Sequence, residues 1–351
     1  MKISFTPVWF DSMGAKSSCT LVKTPDISVL IDPGVAIMQP SFPATELEKL
    51  YWKSQGEKAI KKASKSAKII VISHYHYDHY FPDDMEIYKN KLLFAKNPNE
   101  YINDSQRRRA ENFYSNLCKH FGEVELGYIL KEGITKEYSN PLDELPLSSN
   151  KDFGDYNERR KKLLVRGIRW FNQRANKWNV YQKIPELRFD KVEVRYAEGR
   201  EFYFGDTKIK FSNALFHGVE FSRVGWIFST TIEYKGEKFI HTSDINGPVI
   251  EDYAAWLIKE NPNILVLDGP MTYLLGYVLN KTNFRRTIEN ILKIMKESEV
   301  EVVIYDHHLT REAKFRENTL EVWEMGDKLG KTVITAAEFL GKVPKVLECE
   351  T

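Results

Sequence analysis

The stretch VISHYHYDHY, Val71 to Tyr80, places three of the chain's eight histidines and one aspartate within six consecutive positions. His74 and His76 are two apart, so on a tight loop both can turn toward one cation. Asp78 and His79 come next, within reach of the same region. Imidazole suits zinc and neighbouring first-row metals. A polar loop could also collect such residues by accident, and a metal centre needs ligands from elsewhere in the chain.

Those further groups stand at the ends of the apolar runs, because functional side chains in α/β sheets gather where a strand hands over to a loop. Asp32 ends the run Val29-Leu30-Ile31, and His74 ends 70–73. His217 comes directly after 209–216, Asp244 after 239–243, Asp268 after 264–267, and His307 and His308 after 302–306. Alone, His217 reads as a hydrogen-bonded structural histidine, and Asp244 and Asp268 read as turn residues.

The surrounding pattern predicts how these groups are carried. Runs 19–22 and 27–31 flank Lys-Thr-Pro-Asp and form a hairpin, and Asp32-Pro33-Gly34 stops the second run. A helix opens at Thr45, where Thr45 and Glu48 fit a capping box and Leu47, Leu50, Tyr51 and Ile60 supply an apolar stripe. The run 69–72 reads as a strand buried on both faces. Helices are expected at 104–121, 157–178, 249–259, 283–296 and 311–329, the last stopped by Gly330. Strands are expected at 209–216, 224–234, 239–240, 264–267 and 302–305. Strands succeeded by alternating strands and helices imply a layered α/β protein.

This ordered set resembles the metallo-β-lactamase superfamily, and within it an archaeal-type hydrolase branch. Asp32 matches the early aspartate, and His74-Tyr75-His76-Tyr77-Asp78-His79 matches His-x-His-x-Asp-His without departure. His217 matches the later lone histidine, Asp244 the bridging aspartate, and His307 or His308 the final histidine. The resemblance spans roughly 1–80 and 201–308. It implies a single domain over 1–351, a four-layer αβ/βα sandwich with a metal site at one edge of two packed sheets. A long, mainly helical insertion, 81–200, separates the hexapeptide from the third histidine.

The residues then divide into two ligand sets. His74, His76 and His217 offer three imidazoles to one ion. Asp78, His79, Asp244 and His307 offer a second site, with Asp244 able to bridge because its two oxygens diverge. Two divalent ions about 3.5–4 Å apart would share a hydroxide active at neutral pH. Zinc is the first choice, and manganese and iron accept the same ligands. Asp78 also counts among the catalytic groups. His307 is preferred as the last ligand, leaving His308 as a substrate contact or proton donor. Asp32 either starts its turn or orients a ligand from behind. His241 is expected to pack within its strand and His120 to sit on a surface helix.

Composition excludes several other classes. The formal net charge is +2, hydrophobic residues make up 42% and charged residues 28%, so no global field points to nucleic acid or an anionic membrane. No apolar run is long enough to cross a bilayer, and the N-terminus has no apolar signal core. Three cysteines, Cys19, Cys118 and Cys349, lie far apart in no ligand spacing. A cytoplasmic protein with no membrane partner is expected.

The middle segment governs the substrate. Arg159, Arg160, Lys161, Lys162, Arg166, Arg169, Arg174 and Lys177 occur without an intervening acid, interleaved with Trp170, Phe171 and Trp178. They could grip a nucleic acid. The preferred reading is a solvated helix face balanced by the acidic stretch 123–155. Tyr75, Tyr77, Tyr80 and Tyr273 could line a pocket mouth or pack around the loop. The leading expectation is a metal-dependent hydrolase acting on a phosphodiester or on an ester, thioester or lactone. The alternative is a non-catalytic metal-binding scaffold that binds nucleic acid or a protein partner. Homo-oligomerisation through the middle helices stays open.

Overall fold

Short runs of alternating inward and outward apolar residues build two sheets, seen in a computed structural model that describes residues 2–349. The first sheet holds β1 (Ser4–Phe10), β2 (Ser18–Lys23), β3 (Ser28–Ile31), β4 (Ile69–Ile72), β5 (Lys91–Ala95), β6 (Leu187–Phe189) and β7 (Val192–Tyr196), in the order β1-β2-β3-β4-β5-β7-β6. Strands β3, β4, β5 and β7 run parallel, and the outer pairs are antiparallel. In the second part of the chain come β8 (Glu201–Phe204), β9 (Thr207–Phe211), β10 (Leu215–Phe216) and β11 (Trp226–Ile227). After them come β12 (Thr230–Tyr234), β13 (Glu237–His241), β14 (Ile264–Leu267), β15 (Val302–Tyr305) and β16 (Thr332–Ile334). The second sheet has the order β16-β15-β14-β13-β12-β9-β8, while β10 and β11 form a separate ribbon.

Strand pleating assigns the layers. Val29, Ile31, Ile69, Val71 and Phe94 from the first sheet pack against Ile209, Ile232, Phe239, Ile264, Val266 and Ile304 from the second. Their neighbours Leu30, Ile70, Ile72 and Leu93, and Ile240, Leu265 and Val303, face outward into a core shared with the helices. Each such fully buried side chain contributes about 1.5–3 kcal/mol of hydrophobic stabilisation. Helices α1 (Glu46–Ser64) and α2 (Asp104–Leu117) pack on the first sheet's side through Trp52, Ile60, Ala110 and Phe113. Beyond α3 (Pro146–Asn150) and α4 (Asn157–Val180), the second sheet is covered by α5 (Glu251–Glu260), α6 (Lys281–Glu297), α7 (Phe315–Asn318) and α8 (Leu320–Leu329). The chain closes with α9 (Ala336–Phe339) and α10 (Lys345–Glu348). The architecture is the expected four-layer αβ/βα sandwich.

The hairpin of β2 and β3 forms as expected, and the capping box of Thr45 and Glu48 opens α1. The stripe assigned to α1 needs correction. Leu47, Leu50 and Tyr51 are exposed, and the buried face runs through Trp52, Gly56 and Ile60 at helical spacing. Gly56 decides the face, because Trp9 and Val35 come within 3.0–3.1 Å of where a Cβ would stand. The helical excursion is also narrower than 81–200. Its long helices lie between 104 and 180, while β5, β6 and β7 at its ends join the first sheet. The helix expected over 311–329 breaks at Thr319, whose hydroxyl turns back to the Phe315 carbonyl and accepts from Trp323. Among the described residues, no helix is long and apolar enough to cross a membrane.

Candidate metal centre

Parallel strands deliver their C-terminal ends to one edge of each sheet, and the two edges meet. Asp32 leaves β3, His74 leaves β4, Asp244 comes after β13, Asp268 leaves β14, and His307 and His308 come after β15. The ribbon strand β10 brings His217 to the same place. Three of these turns hold non-glycine residues in left-handed backbone: Asp32 at φ 49°, Ser243 at 55° and His308 at 66°. Each such residue costs about 1–3 kcal/mol, a strain that packing sustains and that clusters at functional sites. Gly34 lets the hexapeptide loop lie against the β3 turn. A Cβ there would meet the Tyr80 nitrogen at 2.1 Å and the His79 nitrogen at 2.4 Å.

Asp244 sits at the centre. Its carboxylate oxygens lie 3.0 Å from a ring nitrogen of His217, 3.2 Å from His79, 3.4 Å from His307, 3.5 Å from His74 and 3.8 Å from His308. His74 Nε2 and His76 Nδ1 are 2.9 Å apart. Donors about 2.0–2.1 Å from a tetrahedral zinc ion lie about 3.3 Å from one another, so these separations suit ligands gathered on a shared cation. Three sets of side chains present ligand atoms within 4.8 Å of each other: His74, His76, His217 and Asp244; Asp78, His79 and His307; and Asp244, His307 and His308.

The outward nitrogens of His74, His79 and His307 are already engaged, which orients those rings. His79 Nδ1 lies 2.9 Å from Asp32 Oδ2 and donates to it, which turns Nε2 toward Asp244. Ser73 donates to the same Asp32 oxygen at 2.8 Å, and His74 Nδ1 lies 3.0 Å from the Ser73 hydroxyl. His307 Nδ1 faces Asp11 Oδ1 at 2.9 Å and the Ser17 carbonyl at 3.0 Å. Within the centre, His79 Nε2 and Asp244 Oδ1 are buried without a hydrogen-bond partner, and His217 turns its Nε2 to Asp244. Buried polar atoms are rarely left so. The residues therefore fit a metal group.

Charge points the same way. Burial pushes His74 and His76 down, His76 to about 3, aided by neighbouring histidines, so both rings are neutral with lone pairs available. For His79 and His307 burial also lowers the pKa, but facing aspartates outweigh it. Asp244 and Asp32 hold His79 well above its ordinary value, and Asp11 and Asp244 raise His307 to about 10. Burial raises Asp244, yet the surrounding histidines hold it well below the usual carboxylate range. Without a metal, protons on two rings supply the positive charge that the carboxylates demand.

All the sequence-predicted ligands meet here. Asp32 lies behind His79, in orienting position. Asp268 accepts from the Asn246 and Gly247 nitrogens as a turn residue would, and it also lies 3.4 Å from His308 Nδ1. His241 is buried in its strand against the Ser18 carbonyl, and His120 is a surface residue beside Glu86. Tyr75 and Tyr80 are buried packing residues, whereas Tyr77 is 46% exposed under the Arg109 guanidinium. Sequence reasoning missed Asp11 and Arg311. Asp11 is buried and accepts from the Ser17 and His308 nitrogens and from Arg311 Nε. It stands at the end of β1, so the strand-end rule would have found it. Arg311 carries no such signal.

Fold and site together define a metallo-β-lactamase superfamily protein, and the superfamily's family model matches residues 14–81. More particularly, the chain belongs to the UPF0282 family. It is 31% identical to a UPF0282 protein of Methanopyrus kandleri, covering 97% of this chain and 95% of the relative. It is 34% identical to one of Sulfurisphaera tokodaii, covering 98% and 90%. Among solved structures it is similar to the metallo-β-lactamase fold protein YhfI of Bacillus subtilis, at 12% identity, 95% coverage of both chains and a TM-score of 0.43.

Proposed function

We propose that this chain is a metal-dependent hydrolase with a binuclear centre. His74, His76 and His217 hold one ion with Asp244, and Asp78, His79 and His307 hold the second with the same aspartate. The observation that carries this reading is Asp244, a buried carboxylate with one unpaired oxygen set among five imidazoles. When bound, two divalent ions supply Lewis acidity and a hydroxide at neutral pH. Zinc suits the histidine-rich donor set, and manganese and iron are compatible. Asp32 and Asp11 fix the rings of His79 and His307. His307 is the last ligand because Asp11 and the Ser17 carbonyl take its Nδ1 proton, leaving Nε2 for a metal.

His308 takes the other part. Burial, with His307 and Arg311 beside it, keeps its ring neutral, and burial next to Asp244 raises Asp268 well above the carboxylate range. His308 Nδ1 lies 3.4 Å from Asp268 Oδ2, which turns Nε2 toward the centre, where it meets the substrate. Phosphodiester, ester, thioester and lactone are the substrate classes the centre can serve.

A second reading draws on α4. Lys161, Lys162, Arg166 and Arg169 are exposed and make no ion pair among the described residues, while Arg174 and Lys177 pair with Asp104 and Arg160 with Glu220. Among the described residues, no carboxylate of the acidic stretch 123–155 ion-pairs with those four side chains. A non-catalytic metal scaffold binding nucleic acid or a protein through α4 would use it. His76→Ala separates the two readings. In a hydrolase it abolishes turnover of bis-(p-nitrophenyl) phosphate and of p-nitrophenyl esters in the metal-reconstituted protein. A metal-loaded wild type with no turnover on any of these substrates would support the scaffold.

A further inference from the structure

We propose that Asn103 and Gln106, at the start of α2, are positioning residues for His76 and His217, so that the helical excursion sets two of the three imidazoles offered to the first ion. The inference rests on the binuclear reading and adds the side chains that assemble one of its two sites.

The rings of His74, His79 and His307 are held from behind by Ser73, Asp32 and Asp11. His217 has no such support among the described residues, where its Nδ1 is buried without a hydrogen-bond partner. Its ring therefore goes where its backbone goes. That backbone is closed into a loop, the His217 nitrogen donating to the Gly225 carbonyl at 3.1 Å. Just before the closure Asn103 Nδ2 grips the loop, donating to the Arg223 carbonyl at 2.9 Å and the Val224 carbonyl at 2.8 Å. Gln106 Nε2 donates to the same Val224 carbonyl at 3.0 Å. The approach is close, since a Cβ on Gly225 would meet Gln106 Nε2 at 2.7 Å.

Asn103 is aimed by its cap. Its Oδ1 accepts from the Gln106 nitrogen at 2.7 Å, which turns Nδ2 to the loop. Gln106 reaches the hexapeptide as well. It is fully buried, and its Nε2 lies 3.5 Å from His76 Nε2, while His76 Nδ1 faces His74. Its Oε1 lies 3.5 Å from the Tyr75 nitrogen. One helix end thus touches both loops, and the rings of His76 and His217 stand with centroids 5.3 Å apart. Ligand distances at a metal hold to within about 0.2 Å, so a loop freed to drift further loosens the ion it serves. The second set is anchored elsewhere, His79 on Asp32 and His307 on Asp11. Loss of the clamp therefore weakens one ion and spares the other.

Asn103→Ser separates the clamp from the cap. Serine caps a helix about as well as asparagine, but its one short hydroxyl, engaged in the cap, cannot also hold two carbonyls. Gln106→Met is the second variant and keeps the side-chain volume without the amide. Zinc affinity is read by competition with a chromophoric chelator, and amide hydrogen exchange reads the loop. In each variant one zinc ion should bind about 10–100-fold more weakly while the other keeps its wild-type affinity. Anomalous diffraction should show the weakened ion to be the one beside His74, His76 and His217. In the metal-free variants the His217 amide should exchange faster than in wild type. Wild-type affinity for both ions in both variants overturns the proposal. So does equal weakening of the two ions, which would mark a general loss of fold. If the wild type itself takes up fewer than two zinc ions, the binuclear reading fails. Unchanged exchange at His217 then overturns the clamp, and faster exchange supports it.

Discussion

Two buried charged clusters flank the loop that runs from His217 to Glu220, and they are built on opposite principles. In the metal centre the central carboxylate, Asp244, is surrounded by imidazoles and pairs with no arginine or lysine among the described residues, and several polar atoms have no partner. Three residues further on, Glu220 accepts from Arg160 at 2.9 Å and from Arg286 at 2.6 Å, and Arg286 also holds Glu251 at 2.7 Å. Both guanidiniums also lie over the Phe153 ring, each 4.8 Å from its centroid. Ser148, which precedes α4, donates to Glu220 as well. This second cluster brings its own cations and ties the helical excursion to α6. A buried polar cluster that balances itself locks two parts of a fold together, whereas one whose central carboxylate meets only imidazoles is arranged to receive metal cations.

The sharpest way to break that contrast is Asp244→Asn. Metal content should fall from about two equivalents to one or fewer, and turnover by at least about 100-fold, because a carboxamide cannot bridge two cations. Full metal and activity in this variant would remove Asp244 from the bridging role.

Glu220→Gln is the matching cut in the other cluster. It leaves two buried guanidiniums short of charge and should cost about 3 kcal/mol in chemical denaturation, with metal content unchanged. Burial raises Glu220, but Arg286 and Arg160 outweigh it and bring it to about 2, below its ordinary 4.5. A lowered acid contributes stability that is full above the unfolded value and is lost as pH falls through the folded one. The wild type should therefore lose about 3 kcal/mol between pH 4.5 and pH 2 that Glu220→Gln lacks already. Parallel acid-unfolding curves for the two proteins would contradict this.

Orienting residues come next. Asp32→Asn and Asp11→Asn should each weaken metal affinity about 10–100-fold while the fold survives. Competition against a chromophoric chelator measures this, and unchanged affinity in both would make them turn residues only. Because His79 and His307 hold protons that a metal displaces, zinc uptake at pH 7 should release acid into a lightly buffered solution. The smallest effect serves as a control outside both clusters. Thr45→Ala removes the α1 cap at a cost of about 1 kcal/mol, read by thermal unfolding, with no change in metal binding.

How much of this was legible in the sequence depends on chain distance. The hexapeptide was readable because four chemical groups lie within one loop, and Asp32, His217, Asp244 and His307 were readable because each ends an apolar run. Strands β14 and β15 were bounded correctly, since continuous apolar runs between turn signals have one reading. Arg311 was not legible, because its meaning lies in Asp11, 300 positions away. Nor was Glu220, whose partners come from α3, α4 and α6. The exposed Leu47, Leu50 and Tyr51 misled for a related reason. The face of α1 is set by a close approach at Gly56, which hydrophobicity alone does not show.

The central claim is most directly tested by anomalous diffraction at the metal edge from crystals of the zinc-reconstituted protein. The account predicts two peaks about 3.5–4 Å apart, one against His74, His76 and His217, the other against Asp78, His79 and His307, with Asp244 between them. A single peak that leaves Asp244 uncoordinated, or no peak among these residues, would contradict it.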